Sequence, residues 1–438
     1  MKIIKKTEAI SFNSEIVPPP DKSISHRGIF FSALSENNVK IGNFLLSQDL
    51  LSTIDAFRSL GVGISVDGNE VNVSGVGLKG LKKPDQALYL GNSGTTARLI
   101  LGLLSAQDFN AKIKGDESLS LRPMKRVTEP LSMMGGSFSG PDGANLLPIE
   151  VKGSRLKGIN YDMPVSSAQV KSAILMAGLY AESPTIIHQK YSSRDHTERM
   201  LLSFGANISF DGLDVEIKKT DRLRVFDFSV PADISSAAFF IALTILSSNS
   251  KLLLKNVGIN PTRCGFINVL KRMGADIGID LIVSEADSVI SEPSANISIA
   301  SSSLKGVNVS KEEIPSLVDE LPVLFLVASL AQGDSYIEGV SELRVKETDR
   351  IDSMVKNLTD MGARIEVLGD DVLIKGVESL KGADLLSFSD HRTAMVNIVA
   401  SILAKGDSTL DSLDSIAISY PHFVEDLNSI LDDCIKII

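Results

Sequence analysis

A repeat of about 70 residues is the feature of this sequence that most limits its possible folds. Six stretches follow one plan: an apolar segment, a short strand, a polar loop and a second, amphipathic helix. The apolar segments open at Ser25, Thr95, Ser167, Asp233, Asp319 and Arg392. One unit cannot bury both faces of its own sheet, so neighbouring units must pack against one another. The sequence therefore predicts one α/β architecture that is built six times.

Local signals place strands and turns inside each unit. Each apolar segment is followed by an aliphatic run that predicts a strand, in chain order VKIGNF, AKIKGDE, PTIIHQ, KLLLKNV, SYIEGV and STLDSL. The second helix repeatedly ends at a glycine, which predicts left-handed caps at Gly61, Gly135, Gly205, Gly274 and Gly362. Alternating segments beyond the glycine, such as ARIEVLGDDVLIKG, predict β-hairpins. The sixth unit is predicted to stop at its second helix.

Length and composition indicate two or three domains, and three repeats in each of two domains is the simplest division. A chain of 438 residues with 43% hydrophobic residues can bury more than one core. Segments 237–246 and 322–331 are apolar on almost all sides, so we expect such helices inside a domain. Prolines before units one and four indicate extended chain there, and the division predicts an N-terminal lobe at 21–232. Residues 1–20 have a strand pattern and no helix of their own, so we expect them to complete a C-terminal lobe with 233–438. The chain then crosses between lobes twice, which is typical of a hinge.

Several classes of protein are disfavoured by composition. A net charge of −10 argues against a nucleic-acid partner. No apolar run approaches the roughly 20 residues that cross a bilayer, and the first residues lack the apolar segment typical of a signal peptide. Cys264 and Cys434 fit neither a disulfide framework nor a metal site, and we expect inert thiols. We therefore expect a cytoplasmic protein without a metal, whose partner is a small anion.

Charged and hydroxyl side chains gather at the start of the first buried helix. Lys22, Ser23 and Arg27 lie where backbone N–H groups lack partners, so a phosphate can be held there. A capped helix with solvated charges is the alternative interpretation. His26, His196 and His391 are as compatible with structural roles as with catalytic ones.

Units two, three, five and six place ligand-capable residues at the equivalent position. These are Asn92, Ser93 and Gly94 in unit two, Ser167, Ala168 and Gln169 in unit three, Asp319 and Glu320 in unit five, and Asp390, His391 and Arg392 in unit six. Each has an alternative interpretation as a turn, a helix cap or compensation of the helix dipole. The glycine-rich turn of unit two has neither the P-loop nor the dinucleotide pattern.

The polar loops add further cations. Arg122 and Arg194 follow strands in units two and three, and Lys346 and Arg350 occur in a charged string of unit five. Helical spacing places Lys346 and Arg350 on one face, although a salt-bridged helix end is the alternative. If the units are equivalent, their helix starts meet at one end of each lobe and line one cationic cleft. Such a cleft suits a small substrate with several phosphate or carboxylate groups.

These strings resemble a known enzyme family. PPPDKSISHR, LGNSGTTAR, LRPMKR, SSAQVKSA, SRDHTERM, LRVKETDR and DHR occur in the order found in 5-enolpyruvylshikimate-3-phosphate (EPSP) synthases, over nearly the whole chain. The resemblance implies an inverted α/β fold of six βαβαββ-type units, with helices inside and sheets outside. It also implies transfer of the enolpyruvyl group of phosphoenolpyruvate (PEP) to shikimate 3-phosphate, without a cofactor, by a cytoplasmic monomer of the shikimate pathway.

The resemblance assigns roles to individual residues. Shikimate 3-phosphate is implied to contact Lys22, Ser23, Arg27, Ser167, Ala168, Gln169, Arg194, Asp319 and Lys346. PEP is implied to contact Lys22, Asn92, Gly94, Arg122, Gln169, Arg350 and Arg392, with Ser93 beside it. Asp319, Glu347 and Lys22 are the implied acids and bases, and Asp319 is our candidate to deprotonate the acceptor hydroxyl.

Departures from the family pattern and two rival functions complete the prediction. Ala168 replaces a serine, and Ala417 to Pro421 stand where many members carry a lysine. Glyphosate tolerance in the family often accompanies alanine at the position of Gly94, so this chain is predicted to be sensitive.

A UDP-N-acetylglucosamine enolpyruvyl transferase would normally carry a cysteine between Gly91 and Pro130, where none occurs. An inert anion-binding scaffold would not need carboxylates beside its cations.

Overall fold

The structure is a computed structural model that describes residues 2–5, 10–431 and 435–437. Its contacts divide the chain into two compact units. Unit I comprises Pro20–Pro231 and Ser284–Glu292, and unit II comprises Met1–Pro19, Ala232–Val283 and Pro293–Ile438. The nine residues of Ser284–Glu292 belong to unit I although their chain neighbours belong to unit II, which the sequence analysis did not foresee.

The helices within the described residues are α1 (Lys22–Ala33), α2 (Gln48–Ser59), α3 (Gly94–Ser105), α4 (Glu117–Ser120), α5 (Lys125–Met133), α6 (Pro141–Ala144), α7 (Ala168–Gly178), α8 (His196–Ser203), α9 (Ile234–Leu246), α10 (Gly265–Met273), α11 (Leu321–Ser329), α12 (Arg350–Asp360), α13 (His391–Leu403) and α14 (Phe423–Ile430). Short 3₁₀ helices occur at Pro261–Arg263, Ile314–Ser316, Ser341–Val345 and Asp414–Ile418.

The strands in the same residues are β1 (Lys2–Lys5), β2 (Asn13–Ile16), β3 (Asn38–Gly42), β4 (Gly63–Asp67), β5 (Glu70–Ser74), β6 (Leu88–Tyr89), β7 (Asn110–Lys114), β8 (Ser137–Ser139), β9 (Ile149–Lys152), β10 (Asn160–Asp162), β11 (Thr185–His188), β12 (Ile208–Phe210), β13 (Asp214–Ile217), β14 (Phe228–Ser229), β15 (Lys251–Gly258), β16 (Asp276–Val283), β17 (Ser294–Ala300), β18 (Asn308–Val309), β19 (Asp334–Ile337), β20 (Arg364–Leu368), β21 (Asp371–Lys375), β22 (Asp384–Leu385), β23 (Ser408–Leu410) and β24 (Ile435–Ile437).

In the part of the chain that is described, these strands form six four-stranded sheets of one topology. Unit I contains β14-β3-β5-β4, β6-β7-β9-β8 and β10-β11-β13-β12. Unit II contains β2-β15-β17-β16, β18-β19-β21-β20 and β22-β23-β1-β24. Read in these orders, the first pair of every sheet is parallel and the next two pairs are antiparallel. The six predicted strands correspond to β3, β7, β11, β15, β19 and β23.

The sixth sheet differs from the sequence prediction. The sixth unit was predicted to stop at its second helix, which is α14, and this was wrong because β24 follows it. The strand β1 from the start of the chain lies between β23 and β24 and supplies the missing third strand. No local pattern at the end of the sequence could announce a strand whose partner comes from its beginning.

The first helices of the repeats are mostly buried, as their composition predicts. All residues of α11 are buried, and so are the twelve residues of α9 from Ile234 to Ile245. Each fully buried Leu, Ile or Phe side chain stabilises the fold by about 1.5–3 kcal/mol. The starts of these helices carry most of the candidate site residues, so the two cores fix the positions of those residues.

The second helices end as predicted. Gly61, Gly135, Gly205, Gly274 and Gly362 all have φ between 80° and 101°. That left-handed conformation costs glycine little and other residues more. The predicted hairpin of unit five is also confirmed, with β20 and β21 paired from Arg364–Lys375 to Leu368–Asp371.

Candidate active site

The start of α1 combines a helix cap with two held cations. The Asp21 carboxylate accepts a hydrogen bond from the Ile24 N–H at 2.8 Å, which begins the helix. Lys22 Nζ lies 2.5 Å from Asp49 Oδ2 on α2, and the Lys22 side chain stays 22% exposed. Asp49 therefore holds an ammonium group at the helix N-terminus where it can still reach a ligand.

Arg27 is fixed by three hydrogen bonds. Its Nε donates to Thr197 Oγ1 at 2.7 Å, Nη1 donates to the Ser23 carbonyl at 3.0 Å, and Nη2 donates to Ser172 Oγ at 2.8 Å. These bonds connect α1 with α7 and α8. Burial lowers the pKa of Arg27 below its usual value, and the nearby carboxylate of Glu198 opposes that effect. A guanidinium group held in this way is preorganised for an anion.

A buried ion pair supports the same region. Lys171 Nζ and Glu198 Oε1 are 2.5 Å apart, and each side chain is only 1% exposed. Burial raises the pKa of Glu198, while Lys171 acts to lower it. Because removal of one member would leave a buried charge without compensation, the pair ties α7 to α8.

The start of α3 orients Arg122. Arg122 Nη2 donates a short hydrogen bond to the side-chain oxygen of Asn92, and Asn92 Nδ2 donates to Asp116 Oδ2 at 2.8 Å. Asp116 thus fixes which end of the Asn92 amide faces Arg122. Ser93 caps the helix by accepting from the Thr96 N–H at 3.3 Å.

Gln169 joins the starts of α3 and α7. Its Nε2 donates to Thr95 Oγ1 at 3.0 Å, and its Oε1 accepts from Arg98 Nη1 at 2.6 Å. Ser167 caps α7 toward the Val170 N–H at 3.5 Å, and Ala168 is the first residue of that helix. The structure therefore brings predicted residues of the first three repeats together within unit I. Arg194 lies near enough to Arg27 for its positive charge to act to lower the pKa of Arg27. We call Lys22, Ser23, Arg27, Asn92, Gly94, Arg98, Arg122, Gln169 and Arg194 the unit I cluster.

His26 has structural contacts. Its Nδ1 lies 2.8 Å from Thr53 Oγ1, which is 2.6 Å from Thr96 Oγ1, so these side chains connect α1, α2 and α3. Burial, together with the charges of Lys22 and Arg27, lowers the pKa of His26 well below its usual value. The imidazole is therefore neutral at pH 7.

Arg350 is the centre of a second cluster. Only 1% of it is exposed, Nε donates to Asp390 Oδ2 at 2.9 Å, and Nη2 donates to Glu347 Oε2 at 2.6 Å. Its Nη1 lies 3.8 Å from Asp319 Oδ1. Burial lowers the pKa of Arg350, but the carboxylates of Asp390, Glu347 and Asp319 outweigh burial, and the pKa lies above its usual value.

Asp319 lies against a second guanidinium group. Arg392 Nη1 donates to the Asp319 carbonyl at 2.9 Å, and Nη2 lies 3.7 Å from Asp319 Oδ2. Asp390 caps α13 by accepting from the Arg392 N–H at 2.8 Å. We call Asp319, Lys346, Glu347, Arg350, Asp390 and Arg392 the unit II cluster. It places the carboxylates of Asp319 and Glu347, which can accept protons, beside the guanidinium groups of Arg350 and Arg392, which can hold an anion.

One local prediction in this cluster was wrong. Lys346 and Arg350 were expected on one helical face, but Lys346 has an extended backbone between the 3₁₀ helix Ser341–Val345 and α12. Asp349 caps α12 by accepting from the Ile351 and Asp352 N–H groups, so the helix begins only at Arg350. Helical spacing therefore does not apply to this pair.

Comparisons with known proteins show the family of this chain. A family model described as EPSP synthase (3-phosphoshikimate 1-carboxyvinyltransferase) matches residues 7–427. The chain belongs to the EPSP synthase family. A 3-phosphoshikimate 1-carboxyvinyltransferase of Bacillus cereus strain B4264 is 46% identical over 418 residues, which cover 95% of this chain and 96% of the relative. One of Oceanobacillus iheyensis is also 46% identical, over 96% of this chain and 97% of its own.

Solved structures of the family have the same fold. An Acinetobacter baumannii EPSP synthase superposes with a TM-score of 0.86 at 40% identity, covering 98% of both chains. A second structure of an EPSP synthase from that organism gives 0.87 at 38% identity over the full length of both. The α/β fold of this chain is therefore that of EPSP synthases. No helix in the described residues combines the length and apolarity needed to span a membrane.

Sequence reasoning missed several residues that shape the clusters. Arg98 lies within the LGNSGTTAR string, so the signal was present, but its bond to Gln169 depends on α7. Arg263, which no sequence motif indicated, forms a buried network with Ser235 and Glu320: Arg263 Nη2 donates to Ser235 Oγ at 2.5 Å, and Ser235 Oγ donates a short bond to Glu320. Burial raises the pKa of Glu320. This network fixes the position of Glu320, which is next to Asp319 in the chain.

The cysteine prediction is only partly covered by the structure. Burial raises the pKa of the Cys264 thiol to about 11, so little of it is thiolate at pH 7, as expected for an inert thiol. Cys434 lies outside the described residues. The cleft predicted to unite the cationic residues stays a prediction.

Proposed function

We propose that this chain transfers the enolpyruvyl group of PEP to the 5-hydroxyl of shikimate 3-phosphate and releases phosphate, in the pathway to chorismate and the aromatic amino acids. The observation that carries the proposal is the position of Asp319 beside Arg350 and Arg392, in a chain of the EPSP synthase family. A carboxylate that can accept a proton lies beside two cations that can hold the phosphate and carboxylate of PEP.

Shikimate 3-phosphate is assigned mainly to the unit I cluster. Arg27 and Arg194 supply cations, Lys22 and Ser23 lie at a helix N-terminus, and Ser167, Ala168 and Gln169 form the start of α7. Guanidinium groups bind phosphate through two parallel hydrogen bonds, and helix N-termini favour anions. From unit II, Lys346 is assigned to the hydroxyl groups of the ring and Asp319 to the hydroxyl that reacts.

PEP is assigned to Arg122, Arg350 and Arg392, with Lys22, Asn92, Gly94 and Gln169 as further contacts. The bond from Arg122 to Asn92 and the bonds from Arg350 to Glu347 and Asp390 fix these guanidinium groups before substrate arrives. Preorganised cations stabilise charge that develops on the leaving phosphate without reorganising during the reaction.

The reaction proceeds by addition and then elimination. The 5-hydroxyl oxygen bonds to C2 of PEP and loses its proton to Asp319, while the CH₂ carbon gains a proton and becomes a methyl group. The tetrahedral ketal then breaks its bond to the phosphate oxygen, and the methyl group returns a proton to restore the double bond. Lys22 and Glu347 are assigned the proton transfers at carbon.

The proposal also covers the repeat architecture, the location and the oligomeric state of the protein. We infer six βαβαββ-type repeats with helices inside and sheets outside, in a protein that acts as a cytoplasmic monomer. The common strand order of the six sheets and the burial of α9 and α11 support the repeat. The membership of a biosynthetic family supports the location.

Phosphate release tests the proposed activity. With purified protein, inorganic phosphate should appear only when PEP and shikimate 3-phosphate are both present, in equal amount to the enolpyruvyl product. Each substrate alone is the control, and UDP-N-acetylglucosamine in place of shikimate 3-phosphate tests the rival acceptor. Release from PEP alone, or with the rival acceptor, would contradict the proposal.

Gly94 predicts the response to glyphosate. A methyl group at this position would lie 2.9 Å from Arg98 Nη1 and 3.3 Å from Arg122 Nη1, so both guanidinium groups would have to move. We expect wild type to be inhibited and Gly94→Ala to need roughly 10- to 200-fold more glyphosate, the usual range for one methyl group in a binding site. Inhibition curves at fixed PEP measure this difference.

Gly42→Ala is the matched control for Gly94, because its added methyl group makes only ordinary contacts of 3.6 Å or more. It should be inhibited like wild type, and the KM for PEP should rise only in Gly94→Ala. Equal and weak inhibition of wild type and Gly94→Ala would show that this glycine does not set sensitivity.

A further inference from the structure

The segment Ser284–Glu292 connects β16 to β17 but packs in unit I. Ile290 is 2% exposed and belongs to the hydrophobic core of unit I. Backbone hydrogen bonds from Asp287 and Ser288 to the Ser284 carbonyl, and from Ser291 to Ser288, give the segment a folded shape of its own. It therefore has a definite position beside the elements it contacts.

Those contacts are concentrated on one short helix. Glu292 Oε1 lies 2.6 Å from His196 Nδ1, at the first residue of α8. Arg199 Nη1 donates to the Ser291 carbonyl at 3.2 Å and pairs with Glu285 Oε1 at 2.7 Å. The Ser291 and Ser203 hydroxyls are 2.7 Å apart. The segment thus contacts α8 from its first residue to its last.

The first turn of α8 lies next to residues assigned to the substrate phosphate. Thr197, next to His196, accepts the hydrogen bond from Arg27 Nε at 2.7 Å and lies 2.7 Å from Ser172 Oγ. Arg194 comes two residues before His196. The position of His196 consequently affects both a candidate phosphate ligand and the residue that orients another.

Glu292 is a buried carboxylate that lies among cationic and polar groups. Its side chain is 1% exposed, and a buried carboxylate near a site for an anion is unfavourable unless it holds cationic or polar groups in place. Its negative charge also acts to raise the pKa of Arg27, which favours the charged guanidinium. A packing role alone would not offset the free-energy cost of burying the carboxylate of Glu292.

We propose that Glu292 is a positioning residue for shikimate 3-phosphate: through His196 it holds the first turn of α8, so that Arg27 and Arg194 present their guanidinium groups to the substrate phosphate. This inference rests on the proposed function. Glu292 acts through other residues, and its loss should affect one substrate more than the other.

Glu292→Gln tests the proposal, because it removes the charge and keeps the shape. We expect the KM for shikimate 3-phosphate to rise about 10- to 100-fold, as expected when a binding group moves by up to an ångström. The KM for PEP should stay within about threefold. Calorimetric titration with shikimate 3-phosphate should show the same loss of affinity, and it suits a chain that has no tryptophan for fluorescence.

Asp287→Asn is the matched control on the same segment. It removes one negative charge, but Asp287 bonds to Ser284 within the segment and the structure shows no bond from it to the described residues of α8. Both KM values should equal those of wild type. An equal effect of Asp287→Asn would mean that net charge, not the contact with His196, is responsible, and would overturn the proposal.

A double-mutant cycle tests the route through His196. In a His196→Asn background, Glu292→Gln should cause a smaller loss of affinity for shikimate 3-phosphate than it does in wild type, because the contact with His196 is already absent and only the effect of the charge on Arg27 remains. If Glu292→Gln does not fold, Glu292→Asp keeps the charge, shortens the reach and should give a smaller rise in the same KM.

Three outcomes separate failure of this inference from failure of the proposed function. If wild type releases phosphate from both substrates but folded Glu292→Gln has a KM for shikimate 3-phosphate within twofold of wild type, the inference alone is wrong. Equal rises in both KM values would also overturn it. If wild type does not release phosphate from both substrates, the proposed function itself is wrong.

Discussion

Asp319→Asn is expected to lower kcat by about 10²- to 10⁴-fold, the usual contribution of a general base. The substitution keeps the size of the side chain and leaves the backbone carbonyl that accepts from Arg392 Nη1 unchanged. Arg350 keeps Asp390 and Glu347 as partners. The fold should therefore persist, and both KM values should change much less than kcat.

The control for Asp319→Asn is Asp360→Asn on the exposed surface of α12, where the aspartate pairs with Lys356 at 2.8 Å. Steady-state phosphate release compares the two variants with wild type. The control should turn over at the wild-type rate. Turnover of Asp319→Asn within tenfold of wild type would show that Asp319 is not the base.

Arg350→Met is expected to have the largest effect on stability. It would remove a cation that is 1% exposed and leave the carboxylates of Asp390, Glu347 and Asp319 without it. Removal of one partner from a buried ionic group typically costs about 3–5 kcal/mol. Urea unfolding should show this loss in the free energy of unfolding, and PEP turnover should fall below detection, since Arg350 is also assigned to PEP.

Arg344→Met provides the comparison for Arg350→Met. Arg344 lies in the same charged string, but its side chain is 34% exposed and it pairs with Asp349 at 2.8 Å and Asp352 at 3.1 Å. Exposed pairs typically contribute about 0–1 kcal/mol. Similar free energies of unfolding for the two variants would contradict the account of Arg350 as the centre of a buried ionic cluster.

The elements that the sequence predicted well depend on local physics. A helix that is apolar on every side, such as α9, can only lie in an interior. A glycine after an amphipathic helix, such as Gly274 with φ of 100°, ends it in a conformation that other residues avoid. Because the same local patterns occur in six repeats, each one supports the others. The ligand-capable residues at the helix starts lie in the unit I cluster and the unit II cluster.

What the sequence could not predict depends on partners that are distant along the chain. Asp49 holds Lys22 from another helix, and Glu292 reaches His196 across 96 positions. The pairing of β1 with β24 joins the two ends of the sequence. A pattern within one window contains no information about such pairs. Lys346 shows the opposite error, because helical spacing was applied to a residue outside a helix.

A crystal structure of Asp319→Asn with both substrates tests the central claim most directly, because this variant should bind the substrates and consume them slowly. The account predicts shikimate 3-phosphate in contact with Arg27, Ser167 and Arg194, and PEP in contact with Arg122 and Arg392. Substrates bound away from these residues would contradict the assignment of the site.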